Sequence, residues 1–233
     1  MSEGTIDKKF NPSIFNPYYI IRKHLLHHIS KNAPSLQGKM MDFGCGTKPY
    51  KPLFTNVSEY IGVDFNGEGH SHKDENIDVM YDGKKIPFPD NTFDSILSSE
   101  VFEHIFNLEE ILDELNRVIK PGGKILITVP FAWHEHEMPN DFGRYTSIGF
   151  QTLLERHNFK IISLEKTSNF VETLFQLWGL YWYMHILPKW PIGGRIVAPT
   201  FHLFNNTGSL IFGKLFPKKT DFFLNLVVVA TKP

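Results

Sequence analysis

The chain has 233 residues, 42% hydrophobic and 21% charged, with a formal net charge of −1. That balance excludes a disordered chain and fits one globular unit with a substantial core. The near-neutral charge gives no broad case for a nucleic-acid partner, and one cysteine excludes an internal disulfide and suits a reducing, cytoplasmic setting.

The first residues, Met-Ser-Glu-Gly-Thr-Ile-Asp-Lys-Lys-Phe, lack the apolar core of a signal peptide. Ile14, Tyr18, Ile21, Leu25 and Ile29 predict a helix over 14–31. Gly38 to Phe43 reads as a strand that runs into a glycine turn, Gly44-Cys45-Gly46, and the turn is expected to open a helix. A second strand, Glu59 to Val63, ends at Asp64, and a third spans Ile77 to Tyr81 before Asp82-Gly83. A proline-punctuated loop, Ile86-Pro87-Phe88-Pro89, precedes a fourth strand over Phe93 to Ser98. Leu108, Ile111, Leu112, Leu115, Val118 and Ile119 make the apolar stripe of a helix that Pro121-Gly122-Gly123 ends. Strands follow over 124–129, 159–164 and 222–231, with a helix over 147–157. The alternation predicts an α/β fold with a mainly parallel sheet, whose ligands bind beyond the carboxyl ends of the strands.

A glycine turn followed twenty residues later by a carboxylate describes a nucleoside site. Glycines admit the ligand to the backbone and Asp64 can accept both ribose hydroxyls. A dinucleotide-binding loop would carry a third glycine where this chain has Pro49, which argues against NAD(P) and an oxidoreductase. Asp42, two positions before the first glycine, suits a ligand with an ammonium group, as S-adenosylmethionine has.

Five segments in order then resemble class I S-adenosylmethionine-dependent methyltransferases, of the small bacterial type-11-like kind. They are Met41-Asp42-Phe43-Gly44-Cys45-Gly46, Ile61-Gly62-Val63-Asp64, 86–94, Glu100-Val101-Phe102-Glu103-His104, and 115–123. The resemblance covers roughly residues 38–165. It implies a Rossmann-like seven-stranded sheet with helices on both faces and an antiparallel last strand between the fifth and sixth. It implies S-adenosylmethionine as cofactor, with Gly44, Cys45 and Gly46 against the methionine moiety and Asp42 nearby. Asp64 would hold the ribose and Phe65 would flank the adenine. Asp82 and Gly83 would meet the adenine edge, and Ser98 and Ser99 would approach the methionine end. Glu103 and His104 are expected to anchor the start of a helix. A cofactor-binding module without catalysis is the alternative.

The loop 133–146 carries His134, Glu135, His136, Glu137, Asp141, Arg144 and Tyr145 directly after the fifth strand. His136, then His134, are the candidate general bases for a hydroxyl acceptor, since their unshifted pKa lies near neutrality. Asp141, Arg144 and Tyr145 are the candidate substrate residues, and an Asp141–Arg144 pair could brace the loop. His134 and His136 could also be metal ligands. No further Cys/His pair in the sequence completes a set, so no metal is expected. The loop's ending resembles methyltransferases of glycan or cell-surface biosynthesis, which points to a small-molecule, glycan-type or lipid-linked acceptor.

The whole chain reads as a single domain: the helix 14–31, a core 38–165, an aromatic helical insertion 168–221 and the last strand 222–231. The insertion is rich in Phe, Trp and Leu but falls short of the ~20 apolar residues that span a bilayer. It is expected to cover the substrate side of the sheet. A homodimer surface and a peripheral membrane contact through 170–190 are the other readings.

Overall fold

A computed structural model describes residues 5–67 and 76–233. They form two compact units. One comprises Ile29–Glu165 with Leu226–Pro233, the other Ile6–His28 with Lys166–Asn225.

The first unit is built on seven strands: β1 (Gly38–Phe43), β2 (Val57–Phe65), β3 (Val79–Tyr81), β4 (Phe93–Ser99), β5 (Ile119–Pro130), β6 (Lys160–Lys166) and β7 (Asn225–Thr231). Their order is β3-β2-β1-β4-β5-β7-β6. The first five pair in parallel. The last strand lies between the fifth and sixth, as expected. It is antiparallel: Gly122 N donates to Lys232 O at 2.8 Å and Lys232 N donates to Gly123 O at 3.1 Å. Central strands are covered on both faces and so read as continuous apolar runs. Met40–Phe43 and Leu226–Ala230 are buried throughout.

Helix α2 (Leu108–Val118) buries the apolar stripe read from its sequence, and α3 (Ser147–Arg156) buries Phe150 and Leu154. Thr146 caps α3 by accepting the Gly149 N–H at 3.1 Å. The predicted stop at Pro121-Gly122-Gly123 is instead a bulge inside β5, which begins at Ile119. Gly122 takes φ +78°, the left-handed conformation of a bulge glycine, and the strand runs on through it. The glycine turn opens no α-helix either. Turns and one short 3-10 stretch, Lys51–Leu53, lead into β2. Pro49 and Pro52 remove two backbone donors from the segment where the helix would form.

The second unit holds α4 (Phe170–Tyr181), a π-helical turn (Trp182–Ile186) and α5 (Pro191–Leu215). Helix α1 (Tyr19–Asn32) begins in it and starts five residues later than its periodicity suggested. Pro17 disfavours helical backbone at Asn16, whose side chain instead accepts the Tyr18 N–H at 2.9 Å. An Asn169–Glu172 capping box starts α4. Buried Gln176 accepts from Ile21 N at 3.0 Å and donates to Pro17 O at 2.8 Å. Buried Asn206 donates to Ile14 O and Asn16 O. These amides satisfy backbone groups that the irregular N-terminal segment leaves unpaired. Among the described residues no helix is long and apolar enough to cross a membrane.

Candidate functional site

Because β1 to β5 run parallel, their carboxyl ends share one edge of the sheet, and the sequence candidates follow those ends. The register sets Asp42 beside Gly62 and Phe43 beside Val63. The chain leaves β1 in a tight turn: Gly44 N and Cys45 N both donate to Val63 O, at 2.8 and 3.2 Å. Gly44 has φ +72°, and a Cβ there would collide with Val101. The Gly46 N–H donates to Asp64 Oδ2 at 2.8 Å, and Asp64 Oδ1 accepts from Phe65 N at 2.8 Å. Asp64 therefore ties the turn to the end of β2 and keeps further lone pairs for hydroxyl donors.

A polar layer lies beneath the turn. Asp42, expected beside an ammonium group, is buried and accepts the hydroxyl of Tyr60. Burial pushes its carboxyl up to about 7, against the lowering effect of the Tyr60 bond. Burial also raises the Cys45 thiol, so it is a packed residue rather than a nucleophile. The buried Lys48 ammonium meets Asp78 Oδ2 at 2.6 Å, and the same oxygen accepts from Gly62 N at 2.6 Å. Burial works against the Asp78 charge, but the Lys48 and Gly62 bonds hold that carboxyl below its usual range. A Cβ at Gly62 would strike Lys48 and Cys45. Sequence reasoning missed Tyr60, Lys48 and Asp78. Strand alternation could have found Tyr60, which sits two residues before Gly62 and shares its face.

At the rim, Phe65 is 42% exposed, an unusual position for a large apolar ring. Gly83, at φ +80°, lets that ring approach, since a Cβ there would meet it. One Asp82 oxygen accepts from Lys84 N and Lys85 N, both at 2.9 Å. These bonds keep its carboxyl below the usual range. Ser98 Oγ is buried without a hydrogen-bond partner among the described residues, while Ser99 Oγ lies 3.0 Å from Thr128 Oγ1. Glu100 turns the chain out of β4 with φ +57°, held by bonds from its N–H to Thr128 and from Thr128 Oγ1 to its carboxylate at 2.8 Å.

The turn at Glu100 delivers Glu103 and His104 to the loop that follows β5. Phe142 N and Gly143 N both donate to Glu103 O, at 2.7 and 3.2 Å. Within the loop Arg144 holds Asp141 with two parallel bonds, 2.6 and 2.7 Å, and donates to His134 O at 2.9 Å. Burial would raise the Asp141 carboxyl, but Arg144 and the His136 N–H hold it well below its normal range. Burial lowers His136, and neighbouring His104 adds to that, so its imidazole is neutral at pH 7. The His104 and His136 rings are 4.9 Å apart, and His134 lies 5.9 Å from His136. Tyr145 OH is 3.5 Å from Phe102 O. The structure thus joins His134, His136, Asp141 and Arg144 in one network and adds Glu103 and His104. The glycine turn and Asp64 form a second cluster, with Asp42 buried below it.

The turn fits a nucleoside ligand: a backbone that excludes side chains, a carboxylate with spare lone pairs, and an exposed aromatic ring. A profile of the methyltransferase domain matches residues 41–127. The chain is 36% identical over 112 residues to a sterol 24-C-methyltransferase from Gibberella zeae, covering 42% of this chain and 29% of that one. It is 27% identical over 161 residues to a fatty-acid O-methyltransferase from Mycolicibacterium smegmatis, covering 64% and 58%. It spans less than two thirds of the length of these curated relatives. In fold it is similar to a Haemonchus contortus phosphoethanolamine N-methyltransferase in complex with S-adenosyl-L-methionine. The TM-score is 0.54 at 17% identity, over 98% of this chain and 60% of that one.

Proposed function

We propose that the chain, whose residues 41–127 match a model of the methyltransferase domain, is a class I S-adenosylmethionine-dependent methyltransferase that methylates an oxygen of a small-molecule, glycan-type or lipid-linked acceptor. What supports oxygen as the target is the His136 imidazole in the loop after β5, held 4.9 Å from the His104 ring and beside Asp141. A hydroxyl must lose its proton as it is methylated, and a neutral imidazole can take it.

Bound S-adenosylmethionine supplies a methyl group already activated on a sulfonium. The chain's work is to align and to dry the site. Asp64 would accept the ribose hydroxyls, Phe65 would flank the adenine, and Asp82 with Gly83 would meet the adenine edge. The backbone of Gly44, Cys45 and Gly46 would lie against the methionine moiety. Ser98, whose buried hydroxyl has no hydrogen-bond partner among the described residues, and Ser99 would face its end. Asp141 and Arg144 brace the acceptor loop, and Tyr145 lines it. His136 takes the proton, with His134 as the second base.

Turnover is read as S-adenosylhomocysteine released over a panel of phenolic, glycan and lipid hydroxyl acceptors. On the acceptor that supports it, the double variant His134→Ala, His136→Ala is expected to lose about 10²-fold in kcat with cofactor affinity retained. Near-wild-type turnover in that variant would remove the base assignment. Cofactor binding with no turnover across the panel favours the non-catalytic module, and calorimetric binding of NAD(P) alone favours the oxidoreductase.

The second unit adds a partner to this reading. On α4, Phe170, Leu174, Trp178 and Tyr181 are exposed along one stripe, and on α5 Val197, Phe204, Ile211 and Leu215 are exposed along another. Exposed aromatics of this kind suit a headgroup-level membrane contact through 170–190. The full chain is expected to float with anionic liposomes. A protein that stays at the bottom of the gradient with and without anionic lipid, and sediments as a dimer, makes the face a homodimer surface instead.

A further inference from the structure

We infer that Glu103, His104 and His136 form a binding site for a divalent transition-metal ion. Each offers one donor atom, and the three donors lie within 4.8 Å of one another. Glu103 is 0% exposed, and neither carboxylate oxygen has a hydrogen-bond partner among the described residues. A buried carboxylate without a donor costs free energy, and a cation in front of it removes that cost. One of the two imidazoles is already set as a ligand. His104 Nδ1 lies 2.6 Å from the carbonyl oxygen of Asn140, which can only accept, so Nδ1 carries the proton and Nε2 keeps its lone pair. That Nε2 is 3.8 Å from Glu103 Oε1 and 3.8 Å from Glu137 Oε2. His136 Nδ1 sits between Asp141 Oδ2 at 3.3 Å and Arg144 Nη2 at 3.4 Å. A carbonyl behind a ligating histidine, as Asn140 O stands behind His104, is the usual outer support of a metal site.

The donor set decides the class of ion. Two imidazoles and one carboxylate suit Zn²⁺, Fe²⁺, Mn²⁺ or Co²⁺, whereas Mg²⁺ and Ca²⁺ favour oxygen alone. Three protein ligands leave coordination positions open, as in catalytic rather than structural sites. The sequence held the His134–His136 pair without a third ligand. The fold keeps His136 from that pair and supplies Glu103 and His104 from beyond β4, through the turn at Glu100. One consequence rests on the methyl-transfer reading: with the ion in place His136 would serve as a ligand instead of the base, an acceptor hydroxyl bound at an open position would be acidified by the ion, and His134 would take its proton.

The test is metal binding without turnover, so its failure stands apart from any failure of the methyl-transfer reading. Full-length chain stripped with EDTA is titrated with Co²⁺ and followed by visible d–d absorption and calorimetry. One equivalent is expected to bind with tetrahedral or five-coordinate bands. Glu103→Gln, His104→Gln and His136→Gln should each weaken Co²⁺ binding by at least about tenfold. The exposed control His27→Gln should leave it unchanged. No stoichiometric uptake, or equal uptake in wild type and the ligand variants, overturns the site. Should Glu103→Gln unfold by circular dichroism, His136→Gln, on the less buried side of the cluster, decides the question alone.

Discussion

Replacing Asp141 by alanine is expected to lower stability to urea unfolding by about 3–5 kcal/mol, the usual cost of removing one partner of a buried charge pair. The side chain of Asp141 is 1% exposed and carries both bonds from the Arg144 fork. It also accepts the backbone N–H of His136 at 2.9 Å. Alanine would leave the Arg144 guanidinium, 22% exposed, to recover only part of its solvation. Asp141→Asn keeps the shape and one acceptor and should cost less. Arg144→Lys keeps the charge but loses the two-pronged geometry, so it should fall between the two. Equal stability in wild type and Asp141→Ala would show that the loop is not braced by this pair. The carboxyl's depressed pKa fixes the sign of the pH effect. Its stabilisation is present above the unfolded carboxylate value and is lost as pH falls towards the folded one.

Asp42 should act in the opposite sense. Its folded carboxyl titrates near 7, whereas an unfolded aspartate titrates near 3.9. Between those values the folded chain holds a proton that the unfolded chain has released. Stability from this group is therefore full below about pH 4 and is lost as pH rises through about 7. The shift of about three units corresponds to something on the order of 4 kcal/mol across that window. The side-chain amide introduced by Asp42→Asn would still accept the Tyr60 hydroxyl and would not titrate. Urea unfolding at pH 5 and pH 8 should show wild type losing stability relative to Asp42→Asn, with the variant the more stable at pH 8. Parallel pH dependence in the two proteins would mean that Asp42 is ionised in the folded chain throughout.

Much of the first unit could be read from the chain because its signals are local. The stripe Leu108 to Val118 specifies α2 by period, and the β1 and β2 runs end in a glycine turn and in Asp64 within one stretch of twenty residues. The pairing of Asp141 with Arg144 was also local, three residues apart. What escaped depended on long-range register. Tyr60 reaches Asp42 only because β2 lies beside β1. Glu103 and His104 meet His136 across more than thirty residues, through a left-handed turn that no periodicity announces. The missing helix after the glycine turn is a failure of a different kind. The strand running into a glycine turn suggested it, while Pro49 and Pro52 argued against it in plain view.

The buried state of Cys45 has a practical consequence. It is the only cysteine, it lies under the glycine turn, and its thiol is pushed well above the range in which maleimides react at neutral pH. A cysteine engineered onto the exposed stripe of α4 or into the loop after β5 would therefore take a fluorescent label selectively, with the native thiol left in place. Dye pairs or spin labels could then follow either segment in the unaltered background.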